Sequence, residues 1–396
     1  MPHSPSHIKV LFAGVMSLIL SLGIARFAYT PLLPIMQSQA GLGDASGGWL
    51  ATFNYMGYMA GALIAASISN LHLKDTLYRI GLILALITTA GMGLSENIWI
   101  WGAMRFLAGL SSAAGLLIGS GLILNWLIRH NHRMELGIHF SGLGLGIVLS
   151  AVAVDLMADH LSWDQQWLAL TLIGVILFIP AWGWLPRPDS TPFTNSGVRM
   201  EDAPPRRNWL IILFSSYFCA GFGYVVSATF LVVIVESEPA LQGYGELAWL
   251  MVGLAAAPAC FIWDRIARKT GELKALAIAF GLQIIGIMLP TLFDASLQLV
   301  LFSAALYGGT FIGIVSLMLT MIGKFYPTKP AKPMGKLTLS YGVAQIIAPA
   351  LAGTLAETSG TYNGSLYLAA IIMSIGLLLI GWLAFRENAQ LQVVPG

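Results

Sequence analysis

Two arginines stand where arginine is costly. Arg26 and Arg105 each lie inside a run of apolar residues long enough to cross a bilayer. A charge at the centre of such a span costs about 2.5–3.5 kcal/mol on insertion scales. A guanidinium is a planar fork of donors matched to carboxylate or phosphate, so the chemistry these positions suggest is anion recognition. From the rise per residue, Arg26 lies roughly 5 Å, and Arg105 about 10 Å, toward the outer end of its span. Asp155 comes out about 10 Å outward in another span. Pairing Arg105 with Asp155 would neutralise both charges. That pair is either structural or a coupling element in which protonating Asp155 frees Arg105 for a ligand. Arg26 either meets the ligand itself or supports the chain break at Pro31 and Pro34 by bonding backbone carbonyls. Tyr29, Tyr224 and Tyr341, with Asn54 and Gln345, offer hydrogen bonds to a ligand, with packing as the alternative for each. Glu236 and Glu357 fall at outer helix ends, and Asp159 and Asp164 in an outer loop, as solvated rim charges. His139 reads as an interfacial histidine.

The elements that position these residues follow from composition. Hydrophobic residues are 57% and charged residues 10% of 396, against roughly a quarter charged in a soluble domain. Lipid is the solvent that accommodates such a chain. At about 20 apolar residues per span, twelve helices use about 240 residues and leave only short loops. The apolar segments lie near 9–36, 48–69, 78–95, 97–127, 137–159, 165–185, 208–236, 244–263, 272–293, 296–323, 335–358 and 362–385. The one long polar break, 186–207, is rich in Pro, Ser and Thr and reads as a flexible cytoplasmic linker. It divides an N-terminal six-helix bundle, 1–185, from a C-terminal one, 208–396. Cys219 and Cys260 both sit in apolar runs and imply no disulfide framework.

Lysine and arginine set the orientation. When alternate loops are placed inside, starting from the N-terminus, every Lys and Arg except Arg26 and Arg105 falls on the inner side. The positive-inside rule therefore puts both termini in the cytoplasm. Trp49, Trp99, Trp101, Trp163 and Trp167 fall at the outer boundary, and Trp126 and Trp209 at the inner one, as an aromatic belt. The halves also repeat. Arg26-Phe27-Ala28-Tyr29 aligns with Gly221-Phe222-Gly223-Tyr224, Gly109 and Ala113 with Gly309 and Gly313, and Gly137, Gly144 and Asp159 with Gly335, Gly342 and Glu357. These matches lie about 200 residues apart in the same order, the mark of a duplicated unit.

The run Gly23-Ile24-Ala25-Arg26-Phe27-Ala28-Tyr29-Thr30-Pro31-Leu32-Leu33-Pro34 resembles the first-helix signature of the YbfB/YjiJ branch of the major facilitator superfamily. Asp264-Arg265-Ile266-Ala267-Arg268-Lys269 resembles the superfamily loop motif D-R-x-G-R-K, with Ala267 in place of its glycine. Arg105 with Gly109 resembles its R-x-x-x-G element. Two departures stand out. The first-half loop, Ser69 to Asp75, has lost the motif, and the fifth span reads Ser141-Gly142-Leu143-Gly144-Leu145-Gly146 without the proline of the antiporter pattern. The resemblance covers the whole chain. It implies two six-helix bundles working by alternating access, with spans one, four, seven and ten around a central cavity. It also implies a conformational latch at Asp264, Arg265, Arg268 and Lys269, a plain inner-face anchor being the alternative.

The expected protein is thus an all-α, multi-pass transporter of the bacterial inner membrane. It carries a small organic anion or zwitterion, with protons as the driving ion and Asp155 as their carrier. Efflux of apolar or cationic compounds is the first alternative, and a non-transporting scramblase or sensor the second. No phosphate-binding G-x-x-x-x-G-K-[ST] loop and no metal-spaced His/Cys cluster occurs in the sequence. No enzyme activity, metal or organic cofactor is expected. The basic residues are spread too thinly for nucleic acid. The expected partners are the small-molecule substrate and membrane lipids, with the chain a monomer.

Overall fold

A computed structural model describes residues 6–189, 191, 193–292, 296–359 and 361–392, nearly all of them helical. Helix α1 (His7–Leu18) runs through a π-helical segment, Ile19–Phe27, into α2 (Tyr29–Ala40). Helices α3 (Asp44–Ser67) and α4 (Leu71–Gly93) follow. Helix α5 (Ile98–Ala113) passes through a second π segment, Ala114–Gly119, into α6 (Ser120–Arg129), and then come α7 (Gly137–Ala158) and α8 (Trp163–Gly183). The second half holds α9 (Arg207–Ser237), α10 (Gly245–Thr270), α11 (Glu272–Leu292), α12 (Leu297–Lys324), α13 (Ala331–Ser359) and α14 (Asn363–Gln392). Each apolar segment read from the sequence is helical. Among the described residues ten helical stretches are long and apolar enough to cross a membrane. Helices α3 and α13 are not among them. Asn54, Tyr55 and Tyr58 dilute the first, and the second includes side chains outside the described residues. The side chains of Pro34, Glu236 and Glu357 lie outside the described residues.

The chain divides into two compact units. One comprises Met1–Ala203 with Ile322–Lys336, the other Pro204–Met321 with Leu337–Gly396. The 186–207 segment is therefore not a free linker throughout. Its described part forms an antiparallel bridge, Phe193 with Arg199, around a turn at Gly197. It is tied to the first unit by Arg129, which donates to Thr191 Oγ1 (2.8 Å) and to the Phe193 carbonyl (3.0 Å). Arg129 also pairs with Asp189 at 3.7 Å. The Thr191 backbone N–H holds the Asp189 carboxyl below the usual carboxylate range.

Small residues bring the helices close in the same pattern in each unit. In the first, Gly23 packs on Gly146, and α3 lies so near α5 that a Cβ on Gly57 would fall on the Phe106 carbonyl and one on Gly109 on the Asn54 carbonyl. In the second, a Cβ on Gly221 would meet the Tyr341 carbonyl, and one on Gly308 the Val252 carbonyl. The same pairs of spans touch in each half, one with five and two with four, as a duplication requires. Small residues permit this approach where lipid supplies no hydrophobic drive between helices. Gly57→Val is expected to destabilise the protein by about 1–3 kcal/mol through overpacking. Thermal unfolding in detergent reads this directly, and an unchanged midpoint would mean that α3 and α5 separate at no cost.

The expected outer tryptophan belt is only partly one. Trp49 and Trp99 are 62% and 79% exposed, as belt residues should be. Trp101, Trp163 and Trp167 instead join one core cluster of the first unit, with Trp101 and Trp163 edge to face at 5.4 Å. Trp101 can be buried because its Nε1–H finds the Met92 carbonyl at 3.0 Å; Trp167 Nε1 is buried without a partner.

Candidate functional site

The two deep arginines are brought together by π-helical winding. Ser21 Oγ–H bonds the Ser17 carbonyl at 2.7 Å and Ser17 Oγ–H the Gly14 carbonyl at 2.8 Å, back-bonding that loosens a helix. Ser112 Oγ–H bonds both the Ala108 carbonyl of its own helix and the Ser21 carbonyl of the neighbouring span, at 2.9 and 2.8 Å. Gly115 leaves room for Ser21, whose hydroxyl a Cβ at that position would strike. The two π segments therefore lie against each other. π windings occur often at functional sites, because they shift the helix ladder by one residue; here Ala28 N–H bonds the Gly23 carbonyl at 3.0 Å.

Arg105 is 3% exposed and is held by backbone. Its Nη1 donates to the Ala25 carbonyl at 3.1 Å, and both Nη1 and Nη2 reach the Arg26 carbonyl at 3.4 Å. Its guanidinium lies 4.3 Å from the centre of the Tyr29 ring, and its Nε is buried without a partner. Asn54 Nδ2–H bonds the Arg105 carbonyl at 2.9 Å, and Tyr29 O–H bonds the Gly47 carbonyl at 2.9 Å. Tyr29 and Asn54, read as ligand contacts, are thus engaged in positioning Arg105 and α3. Arg105 thus supports the first span through the Ala25 and Arg26 carbonyls.

Arg26, 7% exposed, is framed by aromatic faces. Its guanidinium carbon lies 4.9 Å from the ring centres of both Tyr55 and Tyr58 and 5.6 Å from that of Phe27. Such contacts stabilise a desolvated cation by about 2 kcal/mol or more at best. They do so through the ring faces. Tyr55 and Tyr58 were not singled out from the sequence. Their signal was present, since residues three apart share a helix face.

The second unit has an aromatic counterpart. Tyr224 lies 5.0 Å from Phe311 and 5.7 Å from Tyr341, and Tyr341 lies 4.6 Å from Tyr217. Tyr307 O–H bonds the Tyr224 carbonyl at 2.8 Å, and Gln345, 4% exposed, has its Oε1 buried without a partner. The structure so joins Tyr224 and Tyr341 in one cluster and adds Tyr217, Tyr307 and Phe311 to it.

A family described as "Uncharacterised MFS-type transporter YbfB" matches residues 18–381. The chain belongs to this family. It is 24% identical over 395 residues to the uncharacterized MFS-type transporter YceJ of Bacillus subtilis, covering 98% of this chain and 91% of that one. It is 25% identical over 253 residues to monocarboxylate transporter 10 of Mus musculus, and 22% identical over 194 residues to the niacin transporter NiaP of Acinetobacter baylyi. Those matches cover 57% and 49% of this chain, and 49% and 43% of those proteins. The structure of the human organic anion transporter MFSD10 (TETRAN) superposes with a TM-score of 0.75 at 16% identity, over 95% of this chain and all of that one. At that identity the likeness speaks for the fold. The protein is thus a multi-pass integral membrane protein of the MFS transporters and not an enzyme.

Other expected site residues of this MFS-type transporter are placed apart. Asp155 is exposed on α7 and forms none of the ion pairs among the described residues. The Arg105–Asp155 pair is not formed. Equal depth did not imply facing sides, and Arg105 is held instead by the Ala25 and Arg26 carbonyls. Asp264, Arg265, Arg268 and Lys269 are not in a loop but in the last turns of α10, which runs to Thr270. Gly271, at φ +90°, alone separates it from α11, so the nearest helix N-terminus is that of Glu272 and not at Asp264. Asp264 is buried, while Arg265, Arg268 and Lys269 are exposed at the C-terminal end of α10, where cations favour the helix dipole. His139 is fully buried, against the interfacial position expected, because its Nε2 meets Ser120 Oγ at 2.8 Å.

Proposed function

We propose that this transporter moves a small organic anion or zwitterion by alternating access. The observation that carries the proposal is Arg26, a buried guanidinium deep in a membrane-spanning segment and framed by the ring faces of Tyr55 and Tyr58. A carboxylate gains a charge-assisted, forked bond there, and the tyrosine faces exclude water from it. Arg105 adds positive potential and fixes the backbone beside the site. The substrates named for the relatives, monocarboxylates and niacin among them, suit the same chemistry. Twelve spans, cytoplasmic termini and a bacterial inner membrane belong to this reading, on the strength of the lysine and arginine distribution. So do a monomeric state and a proton drive. Asp155 remains the proposed proton carrier, acting independently of Arg105, and the charged end of α10 the proposed latch.

One observation favours a second reading, efflux of apolar or cationic compounds. The cluster of Tyr217, Tyr224, Tyr307, Phe311 and Tyr341 offers ring faces to a flat or cationic ligand. A thermal-shift panel of small carboxylates, amino acids and cationic drugs at two pH values separates the two. At about 100 times its Kd, a ligand adds about 2.7 kcal/mol to the stability of the folded state. Carboxylates are expected to raise the melting temperature. A response to apolar cations alone would transfer the site to the aromatic cluster and overturn the anion reading.

A further inference from the structure

Lys74 is a lysine without a partner. It sits in the first turn of α4, is 0% exposed, and its Nζ makes no hydrogen bond. A buried ammonium costs several kcal/mol unless a counter-charge meets it. The adjacent carboxylate, Asp75, is occupied: it pairs with Arg79 at 3.2 Å and with Arg187. What surrounds Lys74 is more positive charge. Lys332 and Lys329 both act on it electrostatically. They belong to the Ile322–Lys336 segment of the same unit. That segment is fixed in place: Asn125 Nδ2–H bonds the Pro327 carbonyl at 2.8 Å, Lys332 Nζ–H bonds Ser69 Oγ at 3.0 Å, and Thr328 bonds Asp202. Lys329 is exposed, Lys332 half-buried and Lys74 buried, so positive charge leads from the surface inward. Lys74 lies in the first turn of α4 and Lys332 in that of α13, and the partial positive charge of both helix N-termini adds to the field.

We propose that Lys74, Lys332 and Lys329, with Ser69, form a phosphate-binding site at the basic end of the first unit, separate from Arg26. Lysine binds phosphate as a point charge without demanding a forked geometry, and three ammonium groups suit a dianion or a headgroup phosphate. Bound phosphate joins the 322–336 segment to α4. It supplies the counter-charge that Lys74 lacks and so stabilises this packing.

The test is thermal unfolding of the full-length protein in a phospholipid-free maltoside detergent, with inorganic phosphate titrated at constant ionic strength. A parallel arm compares nanodiscs of pure phosphatidylcholine with phosphatidylcholine containing phosphatidylglycerol. A rise in melting temperature with phosphate, absent in Lys74→Met, assigns the site to a free oxyanion. A rise only with phosphatidylglycerol, again absent in Lys74→Met, assigns it to a lipid headgroup. Without either ligand, Lys74→Met is expected to be at least as stable as wild type, because methionine needs no counter-charge. Should that variant not fold, Lys332→Gln with Lys329→Gln reads the same loss of response. No response in wild type, or an equal response in the variants, overturns the proposal. Arg26→Ala should keep the full phosphate response, which separates failure here from failure of the substrate site.

Discussion

Arg26→Ala is expected to abolish saturable transport while leaving the thermal midpoint within a few degrees of wild type. In the proposed role the side chain would give substrate a fork of charge-assisted bonds, each worth about 1.5–3 kcal/mol. Losing one such bond lowers affinity about tenfold to 150-fold. Its removal takes away the ring contacts to Tyr55 and Tyr58 but none of the carbonyl bonds that Arg105 makes. The measurement is substrate flux in proteoliposomes, with unfolding followed on the same preparation. Arg26→Lys keeps the charge but loses the planar fork, so it should recover binding only in part. Normal flux by Arg26→Ala would falsify the assignment of Arg26 to the substrate and demote it to packing.

Arg105→Met should behave differently, with stability and transport falling together. Arg105 is the clamp between α5 and the π segment carrying Arg26, through bonds to the Ala25 and Arg26 carbonyls. Its removal leaves those acceptors without a charged donor in a buried, membrane-spanning region, at a cost of about 2–4 kcal/mol. Unfolding of Arg105→Met and Arg26→Ala side by side separates the two roles. A destabilised Arg105→Met beside a stable Arg26→Ala is the expected pattern. Equal stability of both would mean that the carbonyl bonds are not what holds the π winding in place.

The alignment of the halves gains a physical meaning from packing. Gly109 admits a backbone carbonyl of the neighbouring span, and in the second half Gly308, beside the aligned Gly309, does so; Gly23 and Gly221 make the close approach for another pair of equivalent helices. Equivalent helices approach closely in each unit although few residue identities survive. Arg26 and Arg105, by contrast, have Gly221 and Ala305 as their second-half counterparts. The two deep arginines therefore both lie in the first unit, and the second carries a buried tyrosine cluster in the equivalent helices.

The sequence by itself determined the solvent of this protein, the place of each helix and the rarity of deep charge. Each of these is local. Hydropathy over one span sets whether it enters lipid, and an arginine within it is costly wherever its neighbours lie. Even the likeness to a transporter family was legible, in one twelve-residue run of the first span. What each deep residue touches was decided only by tertiary structure. Depth along a span follows from counting residues, but the direction a side chain faces depends on helix rotation. The π windings alter that rotation within the very spans that carry Arg26 and Arg105. So Asp155, at matching depth, turned away, and Arg105 took carbonyls instead. Tyr55 and Tyr58 came to frame Arg26, and Lys74 was buried beside lysines more than 250 residues away in the chain. Such partners are chosen by close packing of distant segments, which no periodicity within one segment encodes.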